Sequence, residues 1–589
     1  MNSIQGTDML FNPKYFYRIS FWTSLFVFSL LIYDFGFYQS FSEEFEVTTY
    51  YYYALLVGLV SSILTYINDR KRIYQRIAIL DLLSGLFSLA LLSLYFFTSE
   101  TYSYRISATA LNLEKYAAAI LLFKGLLDLR VSYRRTSLNP AQLFLISFIA
   151  IILGGTFLLS LPSATYQGIG LLDALFTATS AVCVTGLVVV DTATHFTSFG
   201  QSVILFLIQI GGLGILTFVS YFSYFFKGEI SYEKQIALNQ INSSGAIGRE
   251  LGILKSILII TFGIEGLSAL LIFYSLDSSL FSSLSEQVFF SLFHAVSAFC
   301  NAGFSTLSGS LMESGFEFNY GLQLAVVFTF ILGGLGFPIV SNIVSYLNYK
   351  VRGLFSFYQK RNYRPWVLTL NSRIALITTL VLIVGGTAIF FGLEKDGTLS
   401  AHSGFGKLVT ALFGATTPRT AGFNTVDVSQ FRFPTLLLTI FLMWVGASPK
   451  STGGGIKTST LAIAVLNILS LARGRERIEL YRREIVEVTI KRAFAMISLS
   501  IIVIALGVLG ISAFEPDLQM IQIAFESVSA YSTTGLSMGI TSSLSPISKF
   551  IIIVLMFVGR VSALTVLIAV FRNVVNQNYR YPKEEITIH

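Results

Sequence analysis

Long apolar runs alternate with short polar connections along nearly all 589 residues of the chain. A helix that crosses a bilayer needs about 20 consecutive apolar residues. Four such runs fall at about 19–40, 48–68, 76–98 and 106–129. Eight more fall at about 141–161, 199–226, 252–276, 320–348, 373–393, 431–471, 491–513 and 546–572. The run 431–471 is too long for one simple span and contains Gly453, Gly454 and Gly455, which make a continuous helix costly. Between paired spans lie shorter apolar segments, each predicted to be a half-length helix that ends at a glycine turn.

Composition agrees with the pattern. The chain is 54% hydrophobic, only 12% charged, and has a mean hydropathy of +0.70. Soluble domains carry about 25% charged residues, so the predicted class is an all-α integral membrane protein. The first apolar run lacks a small-residue cleavage site and is long enough to span, so it reads as a helix and not as a removable signal.

The net charge of +8 does not point to nucleic acid, because the basic residues gather in short loops on one side. Arg70, Lys71, Arg72 and Arg76 form one group, and Arg130, Arg134 and Arg135 another. Lys350, Arg352, Lys360, Arg361, Arg364 and Arg373 form a third, and Arg473, Arg475, Arg477, Arg482, Arg483, Lys491 and Arg492 a fourth. The alternate loops hold acids: Asp277 and Glu286, Glu313 and Glu317, Glu515 and Asp517. Lys and Arg mark cytoplasmic loops, so both termini are expected in the cytoplasm of a multi-pass cell-membrane protein. Anionic lipid at the membrane surface explains the same loops. Two cysteines make neither a disulfide framework nor a CxxC site, the four histidines form no metal cluster, and no phosphate-binding glycine motif is present.

A phrase recurs after each half-helix. It reads Ser180-Ala-Val182-Cys183-Val184-Thr185-Gly186, then Ser297-Ala-Phe299-Cys300-Asn301-Ala302-Gly303, then Thr417-Pro418-Arg419-Thr420-Ala421-Gly422, then Ser529-Ala-Tyr531-Ser532-Thr533-Thr534-Gly535. The glycines stand at intervals of 117, 119 and 113 residues. A half-helix cannot end in lipid with free backbone groups, so irregular backbone at membrane depth is buried or lines a cavity. Four such turns around one axis bring backbone carbonyls together, and rings of carbonyls replace the water shell of an alkali cation. Glycines that merely allow close helix packing are the competing explanation, and four in register argue against it.

These phrases resemble those of the Trk/Ktr potassium-uptake family, over about residues 138–575. Gly211-Gly-Leu-Gly214, Gly333-Gly-Leu-Gly336, Gly446 to Lys457, and Gly559-Arg560-Val-Ser also resemble family signatures. The resemblance implies four pseudo-symmetric span–pore helix–span repeats in one chain, preceded by about four extra transmembrane helices. The expected divisions are an accessory region at 1–137, repeats at 138–226, 227–348, 349–471 and 472–575, and a tail at 576–589. It implies a potassium filter at Val182–Gly186, Phe299–Gly303, Pro418–Gly422 and Tyr531–Gly535, and an intramembrane gate of Ser451, Thr452, Gly453, Gly454, Gly455, Lys457 and Arg560. In plant relatives a replaced first filter glycine goes with sodium transport, and here all four are glycine. The resemblance further implies a homodimer and a separate cytosolic ring of nucleotide-binding regulatory subunits. No covalent cofactor is expected, and potassium is cargo. Channel and cation-coupled symport fit the sequence equally, and a sodium-selective or sodium-coupled transporter is the alternative function. A lipid-modifying membrane enzyme would need a charged catalytic cluster, and neither paired carboxylates nor a His–Asp set is present.

Several residues carry expectations of their own. Arg560 lies midway along the predicted last span, where a charge is expensive and faces a pore or partner; the family places it against the glycine-rich loop. Cys183, Cys300, Arg419 and Ser532 share one repeat position; the small residues are expected to pack behind the filter, with redox sensing the alternative for the cysteines, and Arg419 to stabilise the filter loop and not to line the ion path. His294 and Glu526 stand nine residues before their glycines, with Thr177 at the same place, and either hydrogen-bond filter backbone or are satisfied within their helices. Glu114, Lys115, Lys124, Asp128 and Arg130 mix signs on the fourth predicted span, which suits an accessory helix better than a voltage sensor.

Overall fold

The structure is a computed structural model and describes residues 13–37, 41–68, 85–93, 115–118, 120–121, 140–214, 250–355, 368–475 and 477–571. Among these the regular structure is almost all helix, joined by irregular loops, with one small hairpin pairing Glu479–Leu480 with Arg483–Glu484. Helices α1 (Pro13–Gly36) and α2 (Phe41–Asn68) pack on each other ahead of the main body. Lys115 Nζ lies 3.0 Å from the Asp34 carboxylate of α1, so at least one charge of the fourth predicted span serves packing. Most of the predicted spans 76–98 and 106–129 lies outside the described residues. So do Arg70, Lys71, Arg72, Arg76, Arg130, Arg134, Arg135, Lys360, Arg361 and Arg364.

From residue 140 the helices come in triplets. The first is α3 (Pro140–Leu159), α4 (Leu171–Val182) and α5 (Ser198–Leu213). The second is α6 (Glu250–Ser275), α7 (Leu284–Cys300) and α8 (Tyr320–Leu335), continued by α9 (Phe337–Phe355). The third is α10 (Leu370–Glu394), α11 (Gly404–Thr416) and α12 (Phe433–Trp444), continued by α13 (Thr458–Ala472). The fourth is α14 (Glu487–Phe514), α15 (Met520–Ser532) and α16 (Pro546–Val561), continued by α17 (Ala563–Val570). By length and composition α6, α10 and α14 are each able to cross a membrane. The middle helices of the triplets span only 12 to 17 residues. At 1.5 Å per residue that is roughly 18–26 Å, short of a hydrocarbon core of about 30 Å.

Burial is inverted relative to a soluble protein. Thr179, Ser180, Ser297, Thr410, Ser527 and Ser529 of the middle helices are buried, while Leu380, Val381, Val384, Ile501, Leu506 and Leu509 of α10 and α14 are exposed. Such a surface is stable where the solvent is itself apolar. The middle helices are enclosed because each third helix packs on the middle helix of the next triplet. Thus α5 meets α7, α8 meets α11, α12 meets α15, and α16 returns to α4. Side chains of Thr197, Asn319 and Ser545 cap α5, α8 and α16 by accepting from Gly200, Leu322 and Ser548 N–H groups. α12 has no side-chain cap of its own, and Glu394 of α10 accepts from Arg432 N at 3.0 Å instead.

Two runs expected as single spans are broken. α8 and α9 meet at 104° around Gly336, and α16 and α17 meet at 90° around Ser562. α5 likewise stops at Leu213, and 215–226 lies outside the described residues. Gly214, Gly336 and Ser562 share one backbone state, with φ of 76°, 78° and 76°. Apolar residues continue on both sides of each break, so hydropathy alone reads through it. Arg560 therefore sits in the last turn of a half-span beside a corner, and not midway along a straight helix.

Candidate functional site

Each middle helix ends at the buried centre, and the chain leaves it in one way. Two residues before each glycine stands a residue of positive φ: Val184 at 56°, Asn301 at 59°, Thr420 at 71° and Thr533 at 49°. The glycines follow at 90°, 70°, 80° and 87° for Gly186, Gly303, Gly422 and Gly535. Positive φ is available to glycine without steric cost.

The four glycines form a closed ring. A side chain on Gly186 would collide with the Ala302 carbonyl, and one on Gly303 would lie 2.9 Å from the Ala421 carbonyl and 3.0 Å from Gly422 Cα. One on Gly422 would collide with the Thr534 carbonyl. One on Gly535 would collide with the Thr185 carbonyl and lie 2.9 Å from Gly186 Cα. The carbonyl before each glycine thus abuts the next glycine around the ring, and no side chain fits between them.

Hydroxyls near the helix ends hold the strips. Ser180 Oγ accepts from Gly186 N at 3.1 Å, Ser297 Oγ donates to Phe304 O at 2.7 Å, and Thr417 Oγ1 donates to Phe423 O at 2.7 Å. The Asn301 and Thr420 side chains join neighbouring strips at 3.0 Å, and Thr534 Oγ1 donates to Pro418 O at 3.3 Å. Of the expected windows, Val182, Phe299, Cys300, Tyr531 and Ser532 belong to the last turns of their helices, not to the extended strips. Gly211, Gly333 and Gly559 press on the Val182, Phe299 and Tyr531 carbonyls, so the glycine phrases of α5, α8 and α16 pack against the ends of α4, α7 and α15.

Cys183 and Cys300 are buried free thiols. Arg419 is buried with Nη2 3.5 Å from Thr379 Oγ1 of α10, so it braces its strip from behind. His294 bonds Phe290 O and Ser305 Oγ, both at 2.9 Å, Glu526 accepts from Thr541 Oγ1, and Thr177 donates to Asp173 O at 2.9 Å. His294 and Glu526 therefore tie the loop beyond the glycine, and not the strip backbone itself.

Residues 445–457 connect α12 to α13 across the face of the ring where α5, α8 and α16 end. Thr452 Oγ1 donates to Phe299 O at 3.3 Å, Gly454 N donates to Thr533 Oγ1 at 3.0 Å, and Ser448 N donates to Gly334 O at 2.9 Å. Gly453 lies so close to Thr420 Oγ1 that a side chain would collide. Gly455 takes φ +64°, and Lys457 Nζ donates to Gly453 O at 2.6 Å and Gly454 O at 3.3 Å. Arg560 donates to Thr452 O through Nη1 and to Gly211 O through Nη2. Ser451 lies in the same loop, its Cα against Gly336. The structure thus brings Arg560 to the loop and the loop to the second, third and fourth triplets, while Arg560 itself reaches the first at Gly211.

Two polar links were not legible in advance. Lys549 Nζ lies 2.8 Å from Asp173 Oδ1, joining α16 to α4 across 376 positions of sequence, for which no spacing signal exists. Glu265 of α6 accepts from Gln209 Nε2 of α5 at 3.0 and 3.2 Å. A lone acid inside the apolar run 252–276 was its available signal.

Known proteins resemble this arrangement. A family model described as TrkH, cation transport protein, matches residues 111–579, beginning ahead of the 138 expected from the motifs. The potassium/sodium uptake protein NtpJ of Enterococcus hirae is 38% identical over 466 residues, covering 77% of this chain and 98% of that protein. The Ktr system potassium uptake protein B of Bacillus subtilis is 36% identical over 450 residues, covering 76% and 96%. The crystal structure of the potassium transporter TrkH from Vibrio parahaemolyticus shares the fold, with a TM-score of 0.56 over 84% of this chain and 97% of that one, at 18% identity. The triplet architecture, the glycine phrases and these matches together make the chain a member of the TrkH cation transport family, an integral membrane cation-uptake protein and not an enzyme.

Proposed function

We propose that the glycine ring is the selectivity filter of a potassium-selective uptake path. The observation that carries this reading is the closure of the ring. Four positive-φ strips meet with the carbonyls of Thr185, Ala302, Ala421 and Thr534 against successive glycines. Carbonyl dipoles of this kind substitute for the hydration shell of potassium. The C-terminal ends of α4, α7, α11 and α15 converge on the ring, and each brings a partial negative charge of about half an elementary unit. Membrane voltage drives entry with ~2.3 kcal/mol per charge per 100 mV.

The loop 445–457 acts as the gate. It lies across the exit of the strips, pinned by Lys457 to itself and by Arg560 to α5 and α16. The guanidinium is also an electrostatic barrier to a cation. The basic loops around Arg352–Arg373 and Arg473–Arg492 face the cytoplasm with both termini, and they dock a separate regulatory subunit, consistent with relatives whose names place them in a Ktr system. The assembly is a homodimer with one path per protomer, in the cell membrane.

Sodium is the competing cargo, because the NtpJ relative is described as a potassium/sodium uptake protein. Rubidium uptake into liposomes holding the purified protein separates the two. Saturable uptake blocked by potassium and not by sodium is expected. Equal block by sodium overturns potassium selectivity and leaves a sodium-conducting path.

A further inference from the structure

The geometry points to Glu265 as a positioning residue for the Arg560 contact with the loop, acting through Gln209 and the last turn of α5. The inference rests on the gate reading above and extends it to a residue outside both ring and loop. A carboxyl group in an apolar helix is costly unless hydrogen bonds compensate it. Glu265 is 3% exposed, within α6, and both its oxygens face Gln209 Nε2. Cys300 Sγ of α7 lies 4.0 Å from Glu265 Oε1 and 3.9 Å from Gln209 Oε1. Among the described residues no Lys or Arg lies within ion-pair distance of Glu265. The carboxyl therefore joins α5, α6 and the end of α7, and among the described residues its side-chain partners are Gln209 and Cys300.

Gln209 stands two residues before Gly211, whose carbonyl accepts from Arg560 Nη2. The last four carbonyls of a helix lack the usual intrahelical partner, so the position of Gly211 O depends on what holds the turn. Besides the Gly214 N–H, which bonds Gly211 O at 3.3 Å, and the Val182 carbonyl on which Gly211 packs, two side chains hold it. One is the Gln209–Glu265 tie. The other is Cys300, whose Cβ would lie 2.7 Å from a side chain placed on Gly212. The turn is built on Gly211 and Gly212, which have little helix propensity of their own. Loss of the carboxyl frees Gln209, loosens the turn, and weakens the Gly211 anchor that keeps Arg560 against Thr452 O.

The test is rubidium flux in proteoliposomes for wild type, Glu265→Ala, Glu265→Gln, Arg560→Ala and the Glu265→Ala/Arg560→Ala double variant. Glu265→Ala is expected to raise maximal flux about fivefold with half-saturation unchanged, equivalent to about 1 kcal/mol, the net worth of one hydrogen bond. Glu265→Gln keeps an amide that still bonds Gln209, and flux stays within about twofold of wild type. The double variant matches Arg560→Ala alone, since the tie acts only through that arginine. Should Glu265→Ala not fold, Gln209→Leu removes the tie from the other side and carries the same expectations. A rise in flux with Arg560→Ala and none with Glu265→Ala or Gln209→Leu overturns this inference alone, as does an additive double variant. Unchanged flux in Arg560→Ala overturns the gate reading, and this inference with it.

Discussion

The third triplet differs from the other three at one place, and the difference separates ring from gate. In the first, second and fourth triplets the third helix runs to a residue of φ 76–78°. Its glycine meanwhile presses on the carbonyl at the end of a middle helix. In the third triplet the helix stops earlier, at Trp444, and the matching Gly446 presses on Gly454 O of its own loop. One frame thus provides three braces for the ring and one segment free to lie across it. The ring tolerates no side chain anywhere, while the loop is held by a handful of hydrogen bonds, some neutral and some from the charged Lys457 and Arg560. Rigid and releasable parts come from the same plan with thirteen residues reassigned.

Breaking the ring is expected to have the largest effect. Gly535→Val places a side chain into the Thr185 carbonyl at φ +87°. Positive φ and overpacking together cost about 3 kcal/mol, so transport falls by about 100-fold. Gly168→Ala, at φ +79° but with open space around it, is the matched control and leaves uptake close to wild type. Releasing the loop acts in the opposite direction. Lys457→Met removes a charged donor from Gly453 O and Gly454 O, worth about 1.5 kcal/mol, and raises rubidium flux about tenfold.

The caps sharpen the contrast at the N-terminal ends of the third helices. Glu394→Gln weakens the borrowed cap of α12, which includes Thr435 Oγ1 at 2.6 Å, and is expected to lower stability by about 1.5 kcal/mol. Ser545→Ala at α16 costs about 1 kcal/mol, both read from thermal unfolding in detergent. The smallest effect is a pH dependence of the α16 entrance. Burial pushes the Glu515 carboxyl up, but hydrogen bonds from Ser545 N and the Ser545 and Ser548 hydroxyls outweigh it and hold it below its ordinary 4.5. A depressed folded value means that this stability is present above pH 4.5 and is lost as pH falls through the folded value. Glu515→Gln is expected to flatten the fall in unfolding temperature below pH 4.5.

The sequence foretold the ring better than the corners. Gly186, Gly303, Gly422 and Gly535 recur at a nearly constant interval because only glycine meets the steric demand, and a steric demand leaves a residue-type signal. The break at 445–457 was legible for the same reason, since three consecutive glycines disfavour helix. The corners at Gly336 and Ser562 were not, because Phe337 and Ala563 continue the apolar run and hydropathy reports transfer energy, not direction. Arg560 was recognisable as a buried charge in contact with the loop, yet its place in a terminal turn depended on that unseen corner. Glu265 and Gln209 went unnoticed because their meeting is purely tertiary.

The central claim is that the ion path runs through the glycine ring. Rubidium uptake into liposomes, compared between wild type and Gly303→Ser with potassium or sodium as competitor, tests it most directly. A side chain at Gly303 faces the Ala421 carbonyl at 2.9 Å in a φ of +70°, so the ring cannot keep its geometry. Wild-type uptake blocked by potassium alone, and lost or indifferent to the competing cation in Gly303→Ser, is the predicted result. Uptake that Gly303→Ser leaves unchanged would put the ion path elsewhere and contradict the account.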